Sequence, residues 1–320
     1  MKKIMITGGT GSLGRALINK IKQLGWHIIV YSRDEGKQAL YFPRDEMITK
    51  VIGDVRDLDK LTTTMLLHKP DYVIHAAALK RVDDMEFYPD ECVKTNIQGS
   101  NNVAIAALKA SVKKCILIST NKACQPVNVY GSTKFIAERI FTNFDYNSTD
   151  TIFASVRYGN VIASRGSFIP LWMNLIKDKQ PLGVTSLDCS RFLFTLNDAV
   201  GTVLSALENA QGGEVFIPKI KSYDMKTVIS AVEKICSAGE VSYNVTGMRP
   251  GEKVHEDMLA ETELPFTYEV NDQLMVVLPQ YTRRQHQHGP KYTGLHYNSS
   301  LHLDDDVDHL ETLIRRGIKE

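Results

Sequence analysis

Short β-branched runs separated by amphipathic stretches set the rhythm of the first half of the chain. Lys3-Ile4-Met5-Ile6, His27-Ile28-Ile29-Val30-Tyr31, Met47-Ile48-Thr49-Lys50-Val51-Ile52, Tyr72-Val73-Ile74-His75-Ala76 and Cys115-Ile116-Leu117-Ile118-Ser119 each read as a buried strand. A helical pattern runs from about Leu13 to Leu24, and similar patterns separate most of the other runs. A further strand, Ile152-Phe153-Ala154-Ser155-Val156-Arg157, belongs to the same sheet. Strands that alternate with helices need crossover connections, which are right-handed and give a parallel sheet covered on both faces. The predicted class is α/β, with a doubly wound parallel sheet.

Beyond about Gly166 the rhythm breaks. Pro170, Pro181, Gly212-Gly213 and Pro218 punctuate shorter elements, and Arg249-Pro250-Gly251-Glu252 marks a polar loop. This half reads as a smaller, mostly helical substrate-binding region with segments that return to the sheet. After about Gln280 the chain is polar and carries His286, His288 and His296. No acidic partner or repeated spacing supports metal ligation there, so a loosely packed extension is expected and no metal. The expected divisions are residues 1–165, 166–280 and 281–320.

Composition narrows the class without naming a chemistry. The 320 residues are 43% hydrophobic and 23% charged, ordinary values for a soluble globular protein. Lys plus Arg (38) nearly balances Asp plus Glu (37), which argues against a nucleic-acid patch or an acidic tail. The cysteines at 92, 115, 124, 189 and 236 are scattered, without C-x-x-C, as structural thiols in a reducing compartment would be. Met1-Lys2-Lys3 passes straight into a strand, so no signal peptide is visible. No apolar run reaches the roughly 20 residues needed to cross a bilayer. A cytoplasmic protein with no membrane partner is expected.

Thr7-Gly8-Gly9-Thr10-Gly11-Ser12-Leu13-Gly14 lies between the first strand and the first helix. Gly9-x-Gly11-x-x-Gly14 in that position is a dinucleotide fingerprint, and the expected domain is of the Rossmann type. Its glycines permit a tight turn and close approach of the backbone to a pyrophosphate, while the helix N-terminus offers oriented N–H groups. Thr7, Gly8, Gly11, Ser12, Leu13 and Gly14 are therefore candidate cofactor contacts. At the tip of the second strand stand Ser32 and Arg33, then Asp34, with Lys37 close by. An acid at this tip binds ribose hydroxyls, whereas a cation suits a 2′-phosphate. The tip favours NADP, with NAD as the alternative. Gly53-Asp54-Val55 follows the third strand, where a carboxylate and an amide could meet an adenine edge. A simple surface-loop aspartate is the competing reading.

Tyr130 and Lys134 are spaced to share one face of a helix, after a strand that ends in Ser119-Thr120. An ammonium beside a phenol is expected to lower the tyrosine pKa toward working pH, making it a base for a substrate hydroxyl while hydride leaves the same carbon.

With these residues in view the chain resembles the extended short-chain dehydrogenase/reductase family of nucleotide-sugar enzymes. Within it the chain looks like the branch of UDP-N-acetylglucosamine 4,6-dehydratases of bacterial surface-glycan and pseudaminic-acid synthesis. The resemblance spans roughly residues 1–265. Besides the motifs above it rests on Ala76-Ala77-Ala78-Leu79-Lys80, Lys94-Thr95-Asn96-Ile97-Gln98-Gly99, Ser119-Thr120-Asn121-Lys122-Ala123, Arg157-Tyr158-Gly159-Asn160-Val161, Arg191-Phe192 and Arg249-Pro250-Gly251-Glu252-Lys253. It implies a redox-neutral cycle: oxidation at C4 with Tyr130, Lys134 and Thr120, loss of water across C5 and C6, and return of hydride to C6. By the same resemblance Lys122 acts at C5. Ala76, Ala77, Ala78 and Lys80 border the cofactor, and Lys80, Asn160, Arg191, Arg249 and Glu252 hold a UDP-sugar. For Arg191 and Arg249 a surface ion pair is the plainer reading. A homo-oligomer paired through helices flanking the sheet is also implied.

This chain departs from the family's pattern in two places. The family reads Ser-Thr-Asp-Lys-Ala where this chain has Asn121, and an amide cannot give up a proton as a carboxylic acid does. General-acid help contributes about 10²–10⁴-fold, so dehydration needs another group: Lys122 as ammonium or a nearby tyrosine, with Asn121 positioning a water or the C6 hydroxyl. The alternatives are a 4-epimerase, which needs no acid at 121, and a non-catalytic NADP- or UDP-sugar-binding regulator. The second departure is Arg81, where relatives carry a histidine after the lysine.

Overall fold

The computed structural model describes residues 1–164, 166–237 and 239–320. Lys3–Thr7 forms β1, and its Ile4, Met5 and Ile6 are wholly buried, as befits a strand covered on both faces. Strand and helix then alternate through α1 (Ser12–Gln23), β2 (His27–Ser32), α2 (Glu35–Tyr41), β3 (Ile48–Ile52), α3 (Leu58–His68) and β4 (Tyr72–His75). Short helices α4 (Val82–Phe87) and α5 (Pro89–Cys92) lead through a π-helical stretch, Val93–Gln98, into α6 (Gly99–Lys109). There follow β5 (Lys114–Ile118), a 3-10 turn at Asn121–Ala123, α7 (Val129–Asn147), β6 (Ile152–Val156) and the short β7 (Asn160–Val161).

Strands β1 to β6 and three later ones make one nine-stranded sheet. The second half adds α8 (Phe168–Lys177), β8 (Leu182–Val184), β9 (Ser190–Phe194), α9 (Leu196–Asn209), β10 (Val215–Pro218), β11 (Ser222–Asp224) and α10 (Met225–Cys236). After them come β12 (Tyr243–Val245), β13 (Asp257–Leu259), β14 (Thr267–Asn271), β15 (Leu274–Val277), β16 (Tyr297–Asn298) and α11 (Val307–Lys319). The sheet order is β14-β15-β10-β6-β5-β4-β1-β2-β3. Pairing is parallel from β3 across to β10 and antiparallel at β15 and β14. The order reverses between β1 and β4, and a crevice opens there beyond the strand ends. The α/β class with a Rossmann-type sheet is as the sequence indicates.

The second half carries more strand than its broken rhythm suggests. β10, β14 and β15 extend the main sheet, and α9 packs back on α1 and β5. Small sheets β11-β9-β7 and β12-β8 carry the loops that face the crevice. Arg165, on the expected boundary, lies outside the described residues.

The tail corrects an expectation, for it is tied down rather than loose. Leu310 and Ile314 of α11 are fully buried against α10. An amphipathic helix with an apolar stripe loses free energy if left in water, so it docks. His286 bonds the Gly212 carbonyl at 2.7 Å, and His288 approaches the buried Glu214 carboxylate at 3.3 Å. The five cysteines are free thiols, four of them buried. No helix among the described residues is long and apolar enough to cross a membrane.

Candidate active site

β1 ends in the turn that opens α1, whose N-cap, Gly11, makes no side-chain capping bond and leaves the first-turn N–H groups facing the crevice. A methyl group on Gly14 would sit 2.6 Å from both the Gly8 carbonyl oxygen and the Gly9 Cα. Only glycine lets the helix start lie this close to the turn. Gly8, Gly11, Ser12, Leu13, Gly14, Ser32, Arg33, Lys37, Asp54, Val55, Ala76, Ala77, Ala78 and Lys80 all line one cleft of about 1080 Å³. The cleft and its donor set fit a dinucleotide. Thr7 does not line it: the residue is fully buried and its hydroxyl bonds His75 Nδ1 at 2.7 Å. It props the turn from beneath.

At the strand tip the carboxylates are already engaged. Asp34 caps α2 by accepting from the Lys37 N–H at 2.9 Å and also pairs with the Lys37 ammonium. The Ser32 hydroxyl is held by the Gln38 amide at 2.8 Å. Asp54 accepts from the Arg56 N–H at 2.9 Å and its guanidinium at 3.0 Å, with Arg33 at 3.6 Å. Burial pushes its pKa up, but the Arg56 bonds more than offset this and hold the carboxyl below its ordinary value. Arg81 pairs with Asp84 at 3.1 Å beside the same cleft.

Tyr130, Lys134 and Thr120 stand on the far wall. Asn128 caps α7 by accepting from the Gly131 N–H at 2.7 Å, and its amide donates to the Gly251 carbonyl at 2.8 Å. A Cβ on Gly131 would lie 2.2 Å from the Lys122 carbonyl oxygen, so glycine permits α7 to touch the turn that bears Lys122. The π-helical stretch aims Asn96 at both walls: its side chain bonds the Leu79 N–H and carbonyl, each at 2.9 Å, and donates to Thr133 of α7 at 3.0 Å.

The expected depressed tyrosine is not found. Burial pushes the Tyr130 phenol up to about 12, against a hydrogen bond with Thr120 that favours ionisation. Burial also pulls Lys134 down to about 8, opposed by the charge of Glu138. For Tyr130 desolvation outweighs the Thr120 bond, and for Lys134 it outweighs the Glu138 charge.

The opposite end of the cleft is ionic, and it contains a residue that the sequence pattern did not reveal. Asn121 donates its amide to Glu256, across 135 residues, and accepts from the Thr120 hydroxyl at 3.0 Å. Lys122 Nζ donates to Glu256 Oε1 at 2.8 Å and Asn160 Oδ1 at 3.3 Å. Arg191, buried rather than on the surface, donates to Glu252 at 2.8 Å, with its Nε 3.7 Å from Glu256. Arg249 is more exposed and joins Asp83 at 2.8 Å to Glu252 at 3.2 Å. Burial would raise the Glu256 pKa, but the Lys122 and Arg191 charges more than offset it, so the carboxyl sits below its ordinary value. Asn121, Lys122, Asn160, Arg191, Arg249, Glu252 and Glu256 border a second chamber of about 350 Å³. Lys122, Asn160 and Arg249 also border the large cleft, so the two chambers are continuous. No local spacing links Glu256 to Asn121. The only hint was a second acid after Arg249-Pro250-Gly251-Glu252.

Residues 4–278 match the family described as polysaccharide biosynthesis protein. The chain belongs to that family. A Campylobacter jejuni relative named UDP-N-acetylglucosamine 4,6-dehydratase (inverting) is 42% identical over 278 residues, which is 84% of this chain and 80% of the relative. A Rickettsia canadensis relative named UDP-glucose 4-epimerase is 38% identical over 287 residues, 85% of this chain and 81% of that one. The X-ray structure of Pen from Bacillus thuringiensis superposes with a TM-score of 0.91 at 36% identity, covering 98% of this chain and 97% of that one. The polysaccharide-biosynthesis match and the nine-stranded sheet agree with the extended short-chain dehydrogenase/reductase resemblance read from the motifs.

Proposed function

We propose that this protein is a 4,6-dehydratase of UDP-N-acetylglucosamine or a close relative, using NADP. One observation carries the reading: Tyr130, Lys134 and Thr120 border the same continuous space as the Lys122–Asn121–Glu256 cluster, so groups for oxidation and for elimination meet at one sugar. The named activity of the Campylobacter relative supports it. The Gly8–Gly14 turn with Ser32 and Arg33 would hold the dinucleotide, which would supply the hydride acceptor for C4 and the donor for C6. Tyr130 takes the C4 hydroxyl proton, and the Thr120 hydroxyl, turning from Asn121 Oδ1, donates to the phenolate as it forms. Lys134, one turn along the same helix face, remains largely protonated below about pH 8 and balances that charge. Ketone formation at C4 acidifies the C5 hydrogen, and Lys122, which borders both chambers, takes it.

Arg191 and Arg249 suit the UDP diphosphate through their forked donors. Because Asp34 is committed to capping α2, the tip offers Ser32, Arg33 and Lys37 to a 2′-phosphate, which supports NADP over NAD. Exposed Phe87, Tyr88, Val127 and Ile136, on α4 and around α7, support pairing with a second copy.

The reading is tested by incubation with UDP-N-acetylglucosamine and NADP⁺ in deuterated water, followed by mass and proton spectra. A product lacking one water with deuterium at C5 is expected. The Rickettsia relative favours a second reading, 4-epimerisation. Unchanged mass with inverted C4 would establish that instead.

A further inference from the structure

We propose that Glu256 supplies the carboxylic acid that position 121 lacks, so that the Lys122–Glu256 pair is the acid–base couple of the elimination. The inference rests on the dehydratase reading above. Glu256 borders the substrate chamber and is only 5% exposed, with one oxygen on the Asn121 amide and the other on Lys122 Nζ. Its backbone is fixed: the Glu256 N–H donates to Ser299 Oγ at 2.8 Å, and the Ser299 N–H returns a bond to the Glu256 carbonyl at 2.8 Å. The carboxyl is thus held against the side chain of residue 121 by a loop and a tail remote in sequence.

Asn121 and Glu256 are complementary. An amide at 121 can donate to the carboxylate, whereas an aspartate there would set two carboxylates within hydrogen-bonding distance. The carboxyl that meets residue 121 is carried by the facing loop instead of the 3-10 turn. A purely structural ion pair would need neither contact with residue 121 nor exposure to the chamber. Glu256 is ion-paired with Lys122 at 2.8 Å and lies 3.7 Å from the Nε of Arg191, itself paired with Glu252.

The elimination then balances without any further group. Glu256 is ionised at rest, and as the C5–H bond opens a proton passes along the 2.8 Å hydrogen bond from Lys122 Nζ to Glu256, leaving a neutral amine and a carboxylic acid. Once C4 is a ketone, the amine takes the proton from C5, and the C5–H electron pair becomes the C5–C6 π bond. The C6–O bond breaks, and the departing hydroxyl takes the Glu256 proton and leaves as water. Lys122 ends as ammonium and Glu256 as carboxylate, their starting states.

The test compares wild type, Glu256→Gln and the double variant Asn121→Asp/Glu256→Gln, each with UDP-N-acetylglucosamine and NADP⁺. In Glu256→Gln, reduced nicotinamide still forms within about threefold of wild type in a single turnover, while water loss falls by ~10²–10⁴-fold. The double variant, with the carboxyl returned to the turn, regains at least about tenfold of that loss. Water loss by Glu256→Gln within about threefold of wild type overturns the proposal. So does loss of nicotinamide reduction and water loss together with no recovery in the double variant, which would mark Glu256 as structural. If wild type itself inverts C4 without losing water, the dehydratase reading falls and this inference falls with it.

Discussion

The two ends of the cleft are built in opposite ways. The dinucleotide end comes from short runs at successive strand ends, 8–14, 32–37, 54–55 and 76–80, and it works through glycines, backbone N–H groups and neutral buried polar side chains such as the Thr7–His75 pair. The elimination end draws Asn121, Lys122, Asn160, Arg191 and Glu256 from separate segments and joins them by charge. A site made by the backbone shows itself as spacing, because local geometry dictates which residues fit. A site made by side chains depends on which loops the topology brings together, and spacing carries no trace of it.

The sharpest way to test that division is to disable each end separately. Tyr130→Phe removes the proposed C4 base, so both nicotinamide reduction and water loss should fall by ~10²–10⁴-fold. Glu256→Gln should lose only the second. Stopped-flow absorbance of the reduced nicotinamide beside product mass spectra checks this, and a Tyr130→Phe protein that still reduces its cofactor at the wild-type rate breaks the assignment.

The next largest effect is on stability and concerns the joint between the ends. Arg157, fully buried at the end of β6, donates to Glu138 of α7 at 2.7 Å and to Glu263 at 2.8 and 2.9 Å. One guanidinium thus ties the catalytic helix to the turn that follows β13. Arg157→Met leaves two buried carboxylates without their cation, at a cost of about 3–5 kcal/mol. Denaturant unfolding should register it as a shifted midpoint. A loss under about 1 kcal/mol would show that the carboxylates find other partners.

How much was legible follows the same division. The strands from β1 to β6, the turn at Gly8–Gly14 and the face bearing Tyr130 and Lys134 could be read because period and spacing encode them. The docked tail was misread, since polarity near His286 and His288 hid the apolar stripe of α11 and gave no sign of the Gly212 and Glu214 contacts. The Tyr130–Lys134 spacing suggested a depressed phenol, but burial, invisible in spacing, pushes it the other way. Glu256 could not be placed at all without the fold.

Acid should separate the two ends by pH. Burial, then the Lys134 charge, pull the fully buried His75 from 6.5 to about 3. Between those values the unfolded chain binds a proton that the folded chain refuses, so stability falls as pH drops, by up to roughly 1.4 kcal/mol per pH unit. Glu252, Glu256 and Glu263 of the ionic end are lowered from 4.5, so their contribution is intact above that pH and fades only below it. His68 and His302 are also lowered, but both are less buried. Denaturation midpoints measured from pH 7 to 5 should fall in wild type and flatten in His75→Gln, whatever that variant's baseline. Equal slopes would remove His75 from the account.

The smallest effect tests the strand tip, where even the dinucleotide end relies on side-chain charge. A hydrogen bond to a charged group contributes roughly 1.5–3 kcal/mol. The Arg33 side chain is 56% exposed and lies 3.6 Å from Asp54, so a 2′-phosphate must compete with water and with that carboxylate. The low end of the range then applies, about tenfold in affinity. Arg33→Ala should weaken NADP binding by about that factor, leave NAD binding unchanged, and keep the dehydration rate at saturating cofactor. Lys37 borders the same tip but its ammonium is already paired with Asp34, so it offsets only part of the loss. Titration with both dinucleotides decides the matter: equal losses for the two would place Arg33 away from the 2′-phosphate and leave Ser32 to carry the preference.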